Sequence, residues 1–313
     1  MHAVIYDRFG GSEVLRLDQL EPGVLGKGEL RVRVRAASLN PIDYKMRSGV
    51  MPLPFLLPRV VGLDFAGEVL EVGSGVTGFK VGDRVCGATP PFKKRNGACA
   101  EELVTLASRT ALLPEAVSFE QGAALPTAAV TALQCVEELG RVQPGQRVLV
   151  QGGSGGVGHL MIQLARSAGA TVVTTCSPRN FDLVQRLGAH ETLDYREQGW
   201  RQQTYAVVLD AAGLLGWGDV AELLEKGGVL VGTQPRPALM LSKPLAFLQG
   251  KRIEMIMAEV STARLERLLA QVQVGALEVV VGARHRLEET GQALDRLEKG
   301  GQFPGKLVIE VRG

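Results

Sequence analysis

The chain lacks any cysteine pair to build on. Cys86, Cys99, Cys135 and Cys176 are scattered, with no Cys-x-x-Cys spacing among them. That excludes a disulfide framework and a zinc ribbon, and leaves reduced thiols packed as small apolar groups. Charge of one sign is lacking too: 35 lysines and arginines face 33 aspartates and glutamates, a net of +2 with both signs interspersed. No nucleic-acid partner follows from such a balance, and the run Lys93-Lys94-Arg95 is short enough for a solvated loop. No uninterrupted apolar stretch is long enough to span a bilayer, and Met1-His2-Ala3-Val4-Ile5-Tyr6-Asp7 lacks the basic and apolar regions of a signal peptide. The expectation is a cytoplasmic protein with no membrane partner. Internal repeats and low-complexity segments are absent as well. What remains is globular composition, 45% hydrophobic and 22% charged over 313 residues, room for two domains with a core each.

The most informative stretch is Val148-Leu149-Val150-Gln151-Gly152-Gly153-Ser154-Gly155-Gly156-Val157-Gly158. An apolar strand runs into a glycine turn and then an amphipathic helix from Val157 to Arg166, followed by a second strand, Thr171–Cys176. Gly153, Gly155 and Gly158 fit Gly-x-Gly-x-x-Gly inside a βαβ unit, the context that gives this motif its meaning. The first glycine makes the tight turn, the second lets backbone N–H groups approach a pyrophosphate, and the third lets the helix pack close to the strand. The turn, with Ser154, Gly156 and Val157, is therefore a candidate dinucleotide cradle at a helix N-terminus.

The end of the second strand bears on which dinucleotide. A pocket for the free 2′-hydroxyl of NAD carries Asp or Glu about 20 residues beyond the motif. Here the chain reads Cys176-Ser177-Pro178-Arg179-Asn180, with no carboxylate. Arg179 and the Ser177 hydroxyl can bind a 2′-phosphate that an acidic group would repel, so NADPH is expected over NADH.

Residues 1–118 read as β-rich, with alternating segments such as Leu30–Ala36 and Glu68–Val72 separated by glycine turns at Gly73, Gly75, Gly78 and Gly82. A compact barrel-like domain is expected there. From Ser118 to about Val260, helices alternate with apolar strands, as in a doubly wound parallel sheet. The expected elements after the first βαβ are a helix at Phe181–Gly188, a strand at Ala206–Asp210, a helix at Val220–Glu225, and strands at Gly228–Gly232 and Arg252–Met257. The tail, with helices near Ala263–Val274 and Leu287–Lys299 and a strand at Gly305–Val311, has no partner strand left in that sheet and is expected to return to the first domain. The predicted division is 1–118 with 261–313, and 119–260.

Ser38-Leu39-Asn40-Pro41-Ile42-Asp43-Tyr44-Lys45-Met46-Arg47-Ser48-Gly49, Gly62-Leu63-Asp64-Phe65-Ala66-Gly67-Glu68-Val69, Gly82-Asp83-Arg84-Val85, Gly97-Ala98-Cys99-Ala100-Glu101, Leu125-Pro126-Thr127-Ala128-Ala129-Val130-Thr131-Ala132 and the glycine turn follow one another in order. In this the chain resembles the medium-chain dehydrogenase/reductase superfamily, most of all its zinc-independent quinone oxidoreductase and enone reductase branch. The resemblance implies an α/β fold made of a GroES-like β-rich catalytic domain and a Rossmann NADP(H)-binding domain, commonly as a homodimer. It sets Asn40, Leu63 and Asp64 where related alcohol dehydrogenases hold catalytic zinc. Leu63 cannot ligate a metal and Asn40 is a poor substitute for a thiolate.

Without zinc, the expected reaction is hydride transfer from NADPH to a quinone or to the β-carbon of an α,β-unsaturated carbonyl. The protein then has to position a small hydrophobic acceptor and stabilise its oxygen. The resemblance puts Asn40, Tyr44 and Lys45 at the nicotinamide and substrate, with Lys45 the preferred polarising group or proton donor and Asp43 an orienting one. It also puts Thr127 and Thr131 on the nicotinamide side, Tyr195 at the 2′-phosphate with Arg196 assisting, and Gly232 and Thr233 at the ribose or nicotinamide. Phe303 and Lys306 have two readings, lining the site or serving as packing and a solvated charge. His159, His190 and His285 have no assigned role. Two other functions stay open: a trans-acting enoyl reductase on carrier-bound thioesters, docked through Lys93, Lys94 and Arg95, and a non-catalytic NADPH-binding protein. The loops Met51–Pro58 and Arg236–Gln249 are apolar and proline-rich, which suits a hydrophobic acceptor.

Overall fold

The computed structural model describes residues 1–51, 54–92, 96–197, 199–234 and 236–312. Lys93, Lys94 and Arg95 lie outside the described residues, as do Pro52 and Leu53 of the apolar loop. The chain divides into two compact units, Met1–Thr127 with Val260–Gly313, and Ala128–Glu259.

The first unit opens with β1 (His2–Tyr6), β2 (Arg16–Gln19), β3 (Glu29–Leu39), β4 (Arg59–Val60), β5 (Asp64–Val72), β6 (Arg84–Ala88), β7 (Glu102–Leu106) and β8 (Thr110–Leu112). β3 shows how the sequence makes them. Leu30, Val32 and Val34 point into a core with Phe65, Val69 and Val85, while Arg31 and Arg35 on the other face pair with Glu71 and Glu68 of neighbouring β5. Helix α1 (Pro41–Ser48) starts with proline at its first position, and the Asp43 carboxylate accepts the Asn40 N–H at 2.7 Å. Helix α2 (Phe119–Ala124) is started by a Ser118/Gln121 capping box. This unit runs past the expected boundary at residue 118 because α2 packs into its core. A Cβ added at Gly122 would lie 2.8 Å from Leu113 and 3.2 Å from Ala66.

Helix α3 (Pro126–Leu133) leads to the second unit, where β9 (Arg147–Gln151), α4 (Gly158–Ser167), β10 (Thr171–Cys176), α5 (Phe181–Arg186), β11 (Glu191–Asp194), β12 (Tyr205–Asp210), α6 (Trp217–Val220), β13 (Leu224–Gly232), α7 (Pro237–Leu248) and β14 (Arg252–Met255) follow. The strands form one parallel sheet in the order β11-β10-β9-β12-β13-β14, a Rossmann sheet whose strand order reverses beside β9. The helix expected at Val220–Glu225 is not formed. α6 ends at Val220, and β13 begins at Leu224, which pairs with Tyr205 of β12. Val220, Leu223 and Leu224 have helical spacing, but their burial is met by a turn and a strand whose backbone groups find partners on β12. The strand expected through Met257 stops at Met255.

The chain then returns to the first unit as α8 (Thr262–Gln273), β15 (Val281–Arg286), α9 (Thr290–Glu298) and β16 (Lys306–Glu310). β16 lies between β15 and β3, antiparallel to β3, with Leu307 opposite Leu39. That register brings Lys306 beside Asn40. Arg47 of α1, almost wholly buried, reaches Asp295 and Glu298 of α9 and ties the returning segment to α1. Among the described residues, no helix is long and apolar enough to cross a membrane.

Candidate active site

In the first unit the start of α1, the start of β5 and the start of β16 converge on a buried polar cluster. The Lys306 ammonium, on a residue only 3% exposed, donates to Asn40 Oδ1 at 2.5 Å and to the Leu39 carbonyl at 3.2 Å, and lies 3.9 Å from Asp64 Oδ2. Asn40 Nδ2 donates to Asp64 Oδ2 at 2.9 Å. Asp64 Oδ1 accepts from the Thr127 hydroxyl at 2.5 Å and from its N–H at 3.2 Å. Burial pushes the Lys306 amine down and the Asp64 carboxyl up, and each is partly restored by the other's charge. Asp43, also buried, is lifted to about 7, chiefly by loss of solvent.

Asn40 is thus held by an ammonium on one side and a carboxylate on the other. Thr127 serves Asp64. Lys306 is no solvated charge, and Phe303 packs against the hydrophobic core. Tyr44 and Lys45 are half-buried on α1; burial raises the phenol of Tyr44 and lowers the amine of Lys45. Sequence reading missed the Lys306 contact because 266 residues separate it from Asn40, and only the β3–β16 register joins them.

In the second unit the strand ends of the parallel sheet carry the glycine turn. A Cβ on Gly153 would fall 1.9 Å from Thr174 Oγ1, and one on Gly158 only 2.2 Å from the Gly152 carbonyl. Both positions therefore require the close approach that glycine alone permits, while a Cβ on Gly155 would meet nothing nearer than 3.3 Å. At the start of α4 the His159 N–H is taken by the Gly155 carbonyl, and those of Leu160 and Met161 by the Val157 carbonyl, while the positive end of the helix still lies at the turn. The turn is braced from below. Thr175 Oγ1 donates to Gln151 Oε1 at 2.7 Å and accepts the Gly152 N–H at 3.2 Å. Ser154 Oγ accepts from Asn180 Nδ2 at 3.0 Å. His159, given no role from sequence, is fully buried with Nδ1 2.9 Å from the Gly155 carbonyl.

Ser177 and Arg179 follow β10, and Arg179 is exposed, with no ion pair among the described residues. Tyr195, 52% exposed, follows β11. Arg196 is engaged elsewhere: it grips Asp194, Nε to Oδ1 at 3.0 Å and Nη2 to Oδ2 at 2.5 Å. At the end of β13, Gly232 is buried and the Thr233 hydroxyl donates to the Asp210 carbonyl at 2.9 Å. The buried Asp210 carboxylate caps the following loop through the N–H groups of Gly213 and Leu215. Thr131 is buried on α3.

Residues 26–138 match the alcohol dehydrogenase GroES-like domain, and residues 187–309 match the zinc-binding dehydrogenase family. A chloroplastic quinone-oxidoreductase homolog of Spinacia oleracea is 33% identical, the alignment covering 99% of this chain and 98% of the relative. The chain belongs to the quinone oxidoreductase branch of the medium-chain dehydrogenases/reductases. Structures of this superfamily superpose closely. An NAD-dependent alcohol dehydrogenase, 32% identical, gives a TM-score of 0.90 over the whole of both chains. Escherichia coli quinone oxidoreductase complexed with NADPH, 25% identical, gives 0.86 over 99% of this chain and all of its own.

As a member of this branch the chain is an oxidoreductase that uses a nicotinamide cofactor. The glycine turn fits such a group, since the space a Cβ would fill at Gly153 and Gly158 is taken by the backbone and side chains that support the cradle. The zinc implied by one family description does not fit. Leu63 offers no donor, and the Lys306 ammonium already faces Asn40 Oδ1 and Asp64 Oδ2. Among the described residues, no cluster of three or more His, Cys, Asp or Glu is placed to hold a metal ion.

Proposed function

We propose that the chain catalyses NADPH-dependent reduction of a quinone, or of the C=C bond of an α,β-unsaturated carbonyl, without zinc. The observation that carries this reading is the buried Lys306–Asn40–Asp64 cluster, which puts a fixed ammonium and an amide donor where metal chemistry would need ligands. When bound, the cofactor supplies hydride. Gly153, Ser154, Gly155, Gly156, Val157 and Gly158 would hold its pyrophosphate, Ser177, Arg179 and Tyr195 the 2′-phosphate, and Thr131, Gly232 and Thr233 the ribose or nicotinamide. Asn40, with Tyr44 and Lys45 as neighbouring donors on α1, would orient the acceptor and stabilise the oxygen on which charge develops. One such donor is worth about 100-fold in rate. The acceptor is small and hydrophobic, in keeping with the apolar, proline-rich α7.

Arg179 supports the phosphate-bearing cofactor because its charge is exposed and uncommitted. A hydrogen-bonded charge pair contributes about 1.5–3 kcal/mol, so Arg179→Ala should cut the preference for NADPH over NADH by about 10- to 100-fold. Steady-state kcat/KM for both cofactors checks this. An unaltered ratio in the variant would remove Arg179 from the phosphate site.

The chain is also proposed to act as a homodimer. β14 is an edge strand of the parallel sheet, and it can pair with the same strand of a second copy across a two-fold axis.

A further inference from the structure

We propose that Lys306 is a positioning residue for the reaction, one that sets which way the amide of Asn40 faces. The inference rests on the reading of Asn40 as the donor to the acceptor oxygen. A free asparagine amide turns over about its last torsion with little cost, exchanging its oxygen for its NH2 group. Here the two ends meet opposite partners. Oδ1 faces the Lys306 ammonium at 2.5 Å, and Nδ2 faces Asp64 Oδ2 at 2.9 Å. Turning the amide over would set NH2 against NH3⁺ and a carbonyl oxygen against a carboxylate. The ammonium therefore excludes the flipped state. One Nδ2 hydrogen is committed to Asp64, and the second, held in a fixed direction, is the donor left for an acceptor oxygen.

A buried lysine is costly to the fold, and hydrophobic burial alone would be served as well by methionine. The ammonium instead finds three acceptors on two strands and the start of α1: the Leu39 carbonyl, Asn40 Oδ1 and, further off, Asp64. Thr127 completes the arrangement by anchoring the far oxygen of Asp64, so the carboxylate cannot swing to the ammonium and release Asn40.

The test combines kinetics with a direct view of the amide. Lys306→Met should lower kcat by about 10- to 100-fold while the NADPH dissociation constant, read by nicotinamide fluorescence, stays within about twofold. Lys306→Arg, which keeps a cation there, should recover most of kcat. The loss in Lys306→Met combined with Asn40→Ala should equal that of Asn40→Ala alone, because a positioning residue has nothing to add once its client is gone. A full kcat in Lys306→Met, or multiplied losses in the double variant, would overturn the proposal. Should Lys306→Met not fold, neutron diffraction from deuterium-exchanged wild-type crystals, which tells amide nitrogen from oxygen and shows the deuterons, decides. Full occupancy of Nδ2 and its deuterons on the Asp64 side is expected, and an amide that is reversed or split between the two orientations would refute a fixed amide. If the wild type reduces no quinone or enone, the proposed function falls on that result, while the neutron readout still reports on the amide.

Discussion

At the scale of single residues, the polar cluster of the first unit makes stability depend on pH in a direction that can be worked out. Burial lifts the Asp43 carboxyl from its ordinary 3.8 to about 7. Between those values the folded chain holds a proton that the unfolded chain has released, so this group favours the fold fully below 3.8, and its contribution is lost as pH rises to about 7. Asp43→Asn keeps an acceptor for the Asn40 N–H without the titration. Its melting temperature should therefore fall less than that of the wild type between pH 4 and 7.5, and thermal melts across that range check the slope. Equal slopes would mean that Asp43 titrates normally. The residues of this cluster were partly legible in the sequence. Asn40, Asp43 and Asp64 sit in motifs that can be read in order, whereas Lys306 near the C-terminus had two equal readings until strand pairing placed it.

At the scale of elements, the strand–turn–helix of the second unit was the most legible part of the chain, because its glycines answer to geometry within a dozen residues. Gly158 is the most demanding of them. A methyl group there would press to 2.2 Å on the Gly152 carbonyl, which is backbone and has no rotamer to escape into. Gly158→Ala should cost about 1–3 kcal/mol through overpacking and weaken cofactor binding with it; denaturant melts and nicotinamide fluorescence read the two effects. Gly155→Ala, whose Cβ would stand 3.3 Å from the same carbonyl, should cost less than Gly158→Ala, so a loss there as large as at Gly158 would contradict this account of the turn. Two elements were misread: Val220–Glu225, and Arg236–Gln249, expected as a loop but folded as helix α7. In the first, Val220, Leu223 and Leu224 have helical spacing, but Leu224 has a strand partner in Tyr205, and no local pattern reveals a partner in another strand.

At the scale of the whole molecule, the alternation of helices and strands gave the parallel sheet, and the lack of any partner for the last strand in that sheet pointed to its return. β16 then completes the first unit's sheet on β3. The end of the first unit was less legible, since α2 has the look of a second-unit helix and only its packing on Leu113 and Ala66 joins it to the first. Assembly belongs to this scale too. The exposed edge of β14, flanked by Leu241, Leu245 and Leu248 on the outer face of α7, leaves backbone groups and apolar surface for a second copy. Light scattering should give about twice the 33.4 kDa chain mass, and Ile253→Pro, which removes a strand N–H, should shift the population toward monomer. A wild-type mass of one chain would refute the dimer.

The central claim, hydride transfer from NADPH to a conjugated carbonyl or quinone without a metal, is tested most directly by NADPH oxidation followed optically with a ubiquinone analogue, a naphthoquinone, a short enone and an alkenal. Each reaction is run before and after exhaustive treatment with a zinc chelator. The account predicts saturable turnover with at least one acceptor, unchanged by the chelator. Turnover that disappears on chelation and returns with zinc would contradict it, as would an enzyme that binds NADPH and reduces none of the four. The second result would move a carrier-bound thioester substrate or a non-catalytic role to the front.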